Sequence, residues 1–221
     1  MLTLKCNLVA IIYIPATAGT IQSMKQQICL IHGGNTYENY DDYLNALIAK
    51  ELAYERLLFA PGWRNWLAGQ LADWDVIIPS MPNKQNAQYE EWKIYFSKII
   101  PYLDPSAVLV GHSLGGIFLA KYLTENTLTM PFSKIILLAA PYNDESNESL
   151  GNFKLDSATG LAGVAREIHI MHSTDDPVVP YTEAAKYAAD VPNAKLHTFE
   201  DKHHFIGDTF PELLEVVTDG L

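Results

Sequence analysis

The stretch Ala107-Val108-Leu109-Val110-Gly111-His112-Ser113-Leu114-Gly115-Gly116-Ile117-Phe118-Leu119-Ala120-Lys121-Tyr122-Leu123 decides the fold. Its first four residues form a short apolar run without polar alternation, the pattern of a strand buried on both faces. Its last seven carry a helical pattern. Between them lies G-x-S-x-G, a motif that means something only between a strand and a helix. The spacing predicts a sharp turn that lifts the Ser113 hydroxyl above the sheet. The same turn aims the Leu114 backbone N–H and the helix N-terminus at any oxyanion formed by attack of Ser113. Ser113 is the candidate nucleophile and Leu114 the first candidate oxyanion donor.

Further short apolar runs lie at 28–32, 74–79, 134–139, 168–172 and 195–199. Helical patterns are expected around 44–52, where Leu44, Leu47, Ile48 and Leu52 share one face, and at 62–73, 86–100, 114–126, 181–190 and 209–218. Regular alternation of strand and helix predicts an α/β fold, a mostly parallel central sheet with helices on both faces. Tyr89, Trp92, Tyr95 and Phe96 at helical spacing read as core, and Trp63 and Trp66 likewise. The polar, weakly periodic segment 142–162 breaks the alternation and reads as a pocket wall or a minimal lid.

A serine hydroxyl needs a base to take its proton. Seven histidines are present. On a strand–elbow–helix scaffold the chain order serine, acid, histidine excludes His32 and His112 as the base. His204, in the loop after the last apolar run, is the expected base, with His203 as the alternative. The acid that orients it is expected in Ser173-Thr174-Asp175-Asp176-Pro177, where Pro177 holds Asp176 extended at a strand end. Asp176 is chosen, and Asp175 is the alternative. A second oxyanion donor is expected in His32-Gly33-Gly34-Asn35, where glycines allow close backbone approach: the Gly34 N–H, or that of Asn35. His32 is expected to shape that loop without taking a proton. Asn35, His112 and Met81 are the candidate substrate-contacting residues.

The 221 residues are 48% hydrophobic and 19% charged, ordinary globular values that exclude a disordered chain. The net charge of −11 argues against binding nucleic acid, whose phosphates it repels. No apolar run reaches the roughly 18 residues of a spanning helix, so no stable membrane span is expected. Cys6 and Cys29 make no disulfide framework, and Cys29 sits in an apolar run as a small hydrophobe. Residues 28–221 read as one domain and 1–27 as an extension. In the extension Lys5, the apolar stretch Leu8–Ile14 and Ala16-Thr17-Ala18 have a signal-like order. An extra hairpin, or a start at Met24, would account for it as well. The expected location is the cytoplasm, with export as the alternative.

Taken together, the H-G-G loop, G-H-S-L-G-G, D-P-V-V-P and the late His204-Phe205 resemble an α/β-hydrolase over nearly the whole chain from residue 28. Ile78-Pro79-Ser80-Met81-Pro82-Asn83 followed by Ala87-Gln88-Tyr89-Glu90-Glu91-Trp92-Lys93 is similar to the compact YdeN-type enzymes, related to the retinoblastoma-binding-protein serine hydrolases. The resemblance implies a Ser–Asp–His triad, no metal or cofactor, and hydrolysis of small-molecule carboxylic esters. The chain departs from the pattern at His203, where a small residue is usual, and in its first 23 residues. It also lacks L-x-C-x-E, so no retinoblastoma-type partner is carried over. A non-catalytic binding module and thioesterase, amidase or acyltransferase chemistry are the competing readings.

Overall fold

The computed structural model describes residues 25–126, 131–143 and 149–220. The signal-like and hairpin readings of the N-terminus fall outside these residues. Among the described residues six strands form one sheet: β1 (Gln27–Ile31), β2 (Asp75–Ile77), β3 (Val108–His112), β4 (Phe132–Leu138), β5 (Ala165–Ser173) and β6 (Lys195–Phe199). Their order is β2-β1-β3-β4-β5-β6, and every pairing is parallel. The helices are α1 (Tyr40–Ala49), α2 (Trp63–Gln70), α3 (Tyr89–Ile99), α4 (Leu114–Glu125), α5 (Tyr181–Asp190) and α6 (Pro211–Thr218).

The central strands β1, β3 and β4 lack polar alternation because both faces of the sheet are covered there. Along β1, Ile28 and Leu30 pack with Trp63 and Leu67 of α2 and Leu213 of α6. The intervening Cys29 and Ile31 pack on the opposite face with Trp92 and Phe96 of α3, Ile117 and Phe118 of α4, and Tyr187 of α5. Successive strand side chains point to opposite faces, so both sets must be apolar. Burial raises the Cys29 thiol pKa to about 12, which suits a packing residue rather than a reactive one.

The topology also locates the site. β1 leads sideways to β2, and the chain then returns to β3 on the other side of β1. The loops leaving β1 and β3 therefore diverge at their carboxyl ends, and such a switch point opens a ligand crevice in parallel sheets.

Two segments differ from expectation. The described part of 142–162 does not wall the crevice. Tyr142, Leu150, Phe153, Leu155, Ala158 and Leu161 are buried in the core, in part through short 3-10 turns at Gly151–Phe153 and Thr159–Leu161. Phe153 meets Tyr89 and Trp92 edge to face, with ring centroids 5.7 and 5.3 Å apart. Irregular turns scatter apolar residues without a period, so the sequence pattern concealed this packing. The second difference is α1. The helix forms, capped by Asn39, whose side chain accepts from the Asp42 N–H. Among the described residues nothing covers its expected apolar face: Leu47 is 46% and Ile48 83% exposed, and no residue of α1 is buried.

Candidate active site

The turn after β3 is as sharp as the sequence predicts, and its backbone is strained. Ser113 has φ 55° and ψ −124°, a conformation non-glycine residues rarely adopt. It is held there by its own N–H, which donates to the Leu138 carbonyl at 2.9 Å. The flanking glycines are sterically required. A Cβ on Gly111 would lie 2.4 Å from the Gly115 carbonyl oxygen, and one on Gly115 would lie 2.4 Å from that of Ile31.

The loop after β6 brings His204 to this turn. His204 Nε2 lies 2.9 Å from Ser113 Oγ, and Nδ1 lies 2.8 Å from Asp176 Oδ2. The Asp176 side chain is fully buried, and its other oxygen, Oδ1, accepts the Val178 and Val179 N–H groups at 2.8 and 3.0 Å. A carboxylate can only accept, so Nδ1 carries the proton and Nε2 presents its lone pair to the Ser113 hydroxyl. The neighbouring residues form a separate pair. Asp175 Oδ2 lies 2.8 Å from Nδ1 of the exposed His203, and Asp175 Oδ1 accepts from Ser173 Oγ and the His203 N–H. The structure thus places Asp176 and His204 at the serine and turns Asp175 and His203 away from it.

The loop after β1 lies directly opposite. A Cβ on Gly33 would come within 3.1 Å of Ser113 Cβ, so this backbone packs against the serine. The Asn35 N–H is spent on the Lys84 carbonyl at 2.8 Å, which removes the alternative second donor. Among the described residues nothing accepts from the Gly34 or Leu114 N–H. His32 pins the loop: Nδ1–H donates to the Gly33 carbonyl at 2.7 Å, and Nε2 accepts the Met81 N–H at 2.9 Å. Its pKa is lowered, chiefly by burial, so the ring is a neutral staple. Met81 itself is buried in the core and does not line the crevice; it acts on the loop through its backbone.

His112 lines the crevice, but both its nitrogens are occupied. Nδ1 accepts from Arg64 Nη2 at 2.8 Å, and Nε2–H donates to the His204 carbonyl at 3.0 Å. Burial first, then the Arg64 charge, pushes its pKa well below the usual imidazole value. It braces the backbone of His204 and has no hydrogen left to offer a substrate. The crevice encloses about 400 Å³ and is lined also by Asn35, Arg64, Lys84 and Lys50. The three cationic side chains escaped the sequence reading. A lone Arg or Lys in a helix turn or loop looks like any solvated charge, and no local pattern sets these apart. Among the described residues no group of three His, Cys, Asp or Glu side chains is placed to hold a metal ion, and no helix is long and apolar enough to cross a membrane.

A protein-family model described as serine hydrolase matches residues 60–210, more than half of the chain. The curated protein Serine hydrolase RBBP9 of Rattus norvegicus is 29% identical over 164 residues, covering 72% of this chain and 87% of that protein. The structure of the ydeN gene product of B. subtilis superposes with a TM-score of 0.70 at 22% identity, covering 88% of this chain and 97% of that one. A meta-cleavage product hydrolase from Pseudomonas fluorescens superposes with a TM-score of 0.53 at 14% identity, covering 83% of this chain and 84% of that one. These likenesses identify the architecture as the α/β-hydrolase fold.

Proposed function

Because the chain belongs to the serine hydrolase family, and is a hydrolase, we propose that it cleaves small-molecule carboxylic esters through a Ser113–His204–Asp176 triad and an acyl-enzyme. The observation that carries the reading is the relay from Ser113 Oγ to His204 Nε2 at 2.9 Å and from Nδ1 to the buried Asp176 at 2.8 Å. Ser113 Oγ attacks the ester carbonyl carbon as its proton passes to Nε2. The imidazolium so formed is stabilised by the Asp176 carboxylate. The Leu114 and Gly34 N–H groups receive the carbonyl oxygen as it gains charge. Collapse expels the alkoxide, which takes the proton from Nε2. Water, deprotonated by the same nitrogen, then attacks the acyl-enzyme; the acid leaves and Ser113 recovers its proton.

Asn35 is proposed as a substrate contact at the rim of the oxyanion loop, since it lines the crevice. A fluorophosphonate probe tests the reading. Wild-type protein is expected to label, and Ser113→Ala is not, with ester hydrolysis in that variant falling by about three orders of magnitude or more. Equal labelling of the two proteins, or folded wild type that does not label, refutes the assignment. A panel of esters, thioesters and amides then separates ester cleavage from the same triad acting on another acyl group.

A further inference from the structure

We propose that the crevice beside Ser113 holds an anion-binding subsite built on Arg64, with Lys84 and Lys50 at its rim, so that the preferred substrate is an ester carrying a second, anionic group. The proposal rests on the serine-hydrolase reading of this crevice and goes beyond it by naming the charge of the substrate.

The first observation is a cation without a counter-charge. Arg64 is part-buried on α2, stacked on Trp63 with its guanidinium carbon 4.9 Å from the ring centroid. Its hydrogen-bond partner is His112 Nδ1, a neutral acceptor. Arg64 Nε is buried without a partner, and among the described residues no carboxylate pairs with this side chain. A guanidinium cannot discharge itself by losing a proton as a lysine can, so a part-buried one without an anion is costly. Burial does lower its pKa, the direction expected of a cation without a counter-charge.

The second observation is the charge of the walls. Lys50, Arg64 and Lys84 line the crevice with Ser113 and His204, and no Asp or Glu side chain lines it among the described residues. This concentration of positive charge stands in a protein of net charge −11. Neither Lys84 nor Lys50 has an ion-pair partner among the described residues. The acid of the relay, Asp176, is fully buried behind His204 and does not reach the crevice. A cleft of one sign in a molecule of the other concentrates ligands of opposite charge and draws them in from solution. The planar fork of an arginine suits a carboxylate in particular.

Arg64 also supports His112, and through it the His204 carbonyl, so a purely structural role must be told apart from a binding one. Charge discrimination does this. Two matched ester pairs place the anion in either arm: mono-4-nitrophenyl glutarate against 4-nitrophenyl pentanoate, and 3-acetoxybenzoate against 3-acetoxybenzamide. In at least one pair the anionic ester is expected to have the higher kcat/KM by about tenfold or more, the usual worth of a charged hydrogen bond. That preference should shrink as salt is raised, because the lysines at the rim are screened. Arg64→Gln keeps a donor for His112 and is expected to lower the anionic-to-neutral ratio about tenfold, with Lys84→Gln lowering it less and Arg64→Lys retaining most of it.

Free glutarate should bind Ser113→Ala with micromolar to millimolar affinity by calorimetry and lose binding in the Ser113→Ala/Arg64→Gln double variant. Absence of charge preference in both pairs overturns the proposal, as does Arg64→Gln slowing anionic and neutral esters equally. Fluorophosphonate labelling keeps the two ideas separate: a labelled enzyme indifferent to charge refutes the subsite alone. Unlabelled protein that still binds glutarate through Arg64 supports the subsite and refutes the hydrolase mechanism.

Discussion

Asp176→Asn is a nearly isosteric change with a direction that the hydrogen bonds dictate. Oδ1 of Asp176 accepts two backbone N–H groups, from Val178 and Val179, and only an oxygen can do so. In the asparagine variant the amide oxygen must keep that position, and the NH2 group must take the place of Oδ2 facing His204 Nδ1. An NH2 group donates, so Nδ1 has to become the acceptor and the ring proton moves to Nε2. Nε2 is the atom 2.9 Å from Ser113 Oγ, so the lone pair that would take the serine proton is lost. The positive charge formed on the ring during attack also loses its counter-charge. For such a tautomer reversal kcat/KM should fall about 10⁴-fold, or about 5 kcal/mol of transition-state stabilisation. The assay is initial-rate hydrolysis of 4-nitrophenyl acetate, with urea denaturation to show that the variant is folded. Asp175→Asn is the control. Its carboxylate pairs with exposed His203 away from the serine, and the rate should change by less than about fivefold. A folded Asp176→Asn variant within tenfold of wild type, or a larger loss in Asp175→Asn, would refute the reasoning.

Three further outcomes follow from the packing and from the buried imidazoles. His32, His112 and His172 all have pKa values lowered chiefly by burial. The unfolded chain therefore takes up protons near pH 6.5 that the folded chain refuses. Stability from these groups is complete above that pH and is lost as pH falls below it. The urea midpoint should drop between pH 7.5 and 5, while nitrogen-15 NMR shows a neutral His112 ring at pH 5.5; a protonated ring there contradicts the assignment. Gly115→Ala drives a Cβ to 2.4 Å from the Ile31 oxygen of β1 and should cost about 3 kcal/mol or more in urea unfolding; a neutral effect would show the elbow to be looser than described. Trp92→Ala empties a fully buried site and should cost about 3–5 kcal/mol, whereas Ile48→Ser on the uncovered face of α1 should stay within about 0.5 kcal/mol. A large loss from Ile48→Ser in urea unfolding would mean that this face is packed.

The parts of the fold that could be read from sequence are those whose information is local. An apolar run, G-x-S-x-G and a helical pattern lie within one stretch of chain, and backbone sterics at Gly111, Ser113 and Gly115 leave that stretch essentially one conformation. The same holds for the alternation of elements, because strands buried on both faces must be apolar throughout. The role foreseen for His32 also rested on near neighbours, the two glycines that follow it.

Tertiary structure decided what depends on distance between remote residues. Sequence order narrows the acid and base to Asp175 or Asp176 and His203 or His204, but adjacent residues point in different directions. Only the fold shows Asp176 facing His204 while Asp175 faces His203. The burial of Tyr142, Leu150, Phe153 and Leu155 and the exposure of α1 were hidden for a related reason: periodicity reports which side chains share a face, not whether anything packs against it. Arg64 is the clearest case. Nothing near it in sequence distinguishes it from a solvated charge, and its place beside His112 exists only because the fold brings the first residues of α2 to the end of β3. Local sterics and burial are properties of a segment and can be read from it. Electrostatic fields and hydrogen-bond partners are properties of three-dimensional neighbourhoods, and only the folded chain creates those.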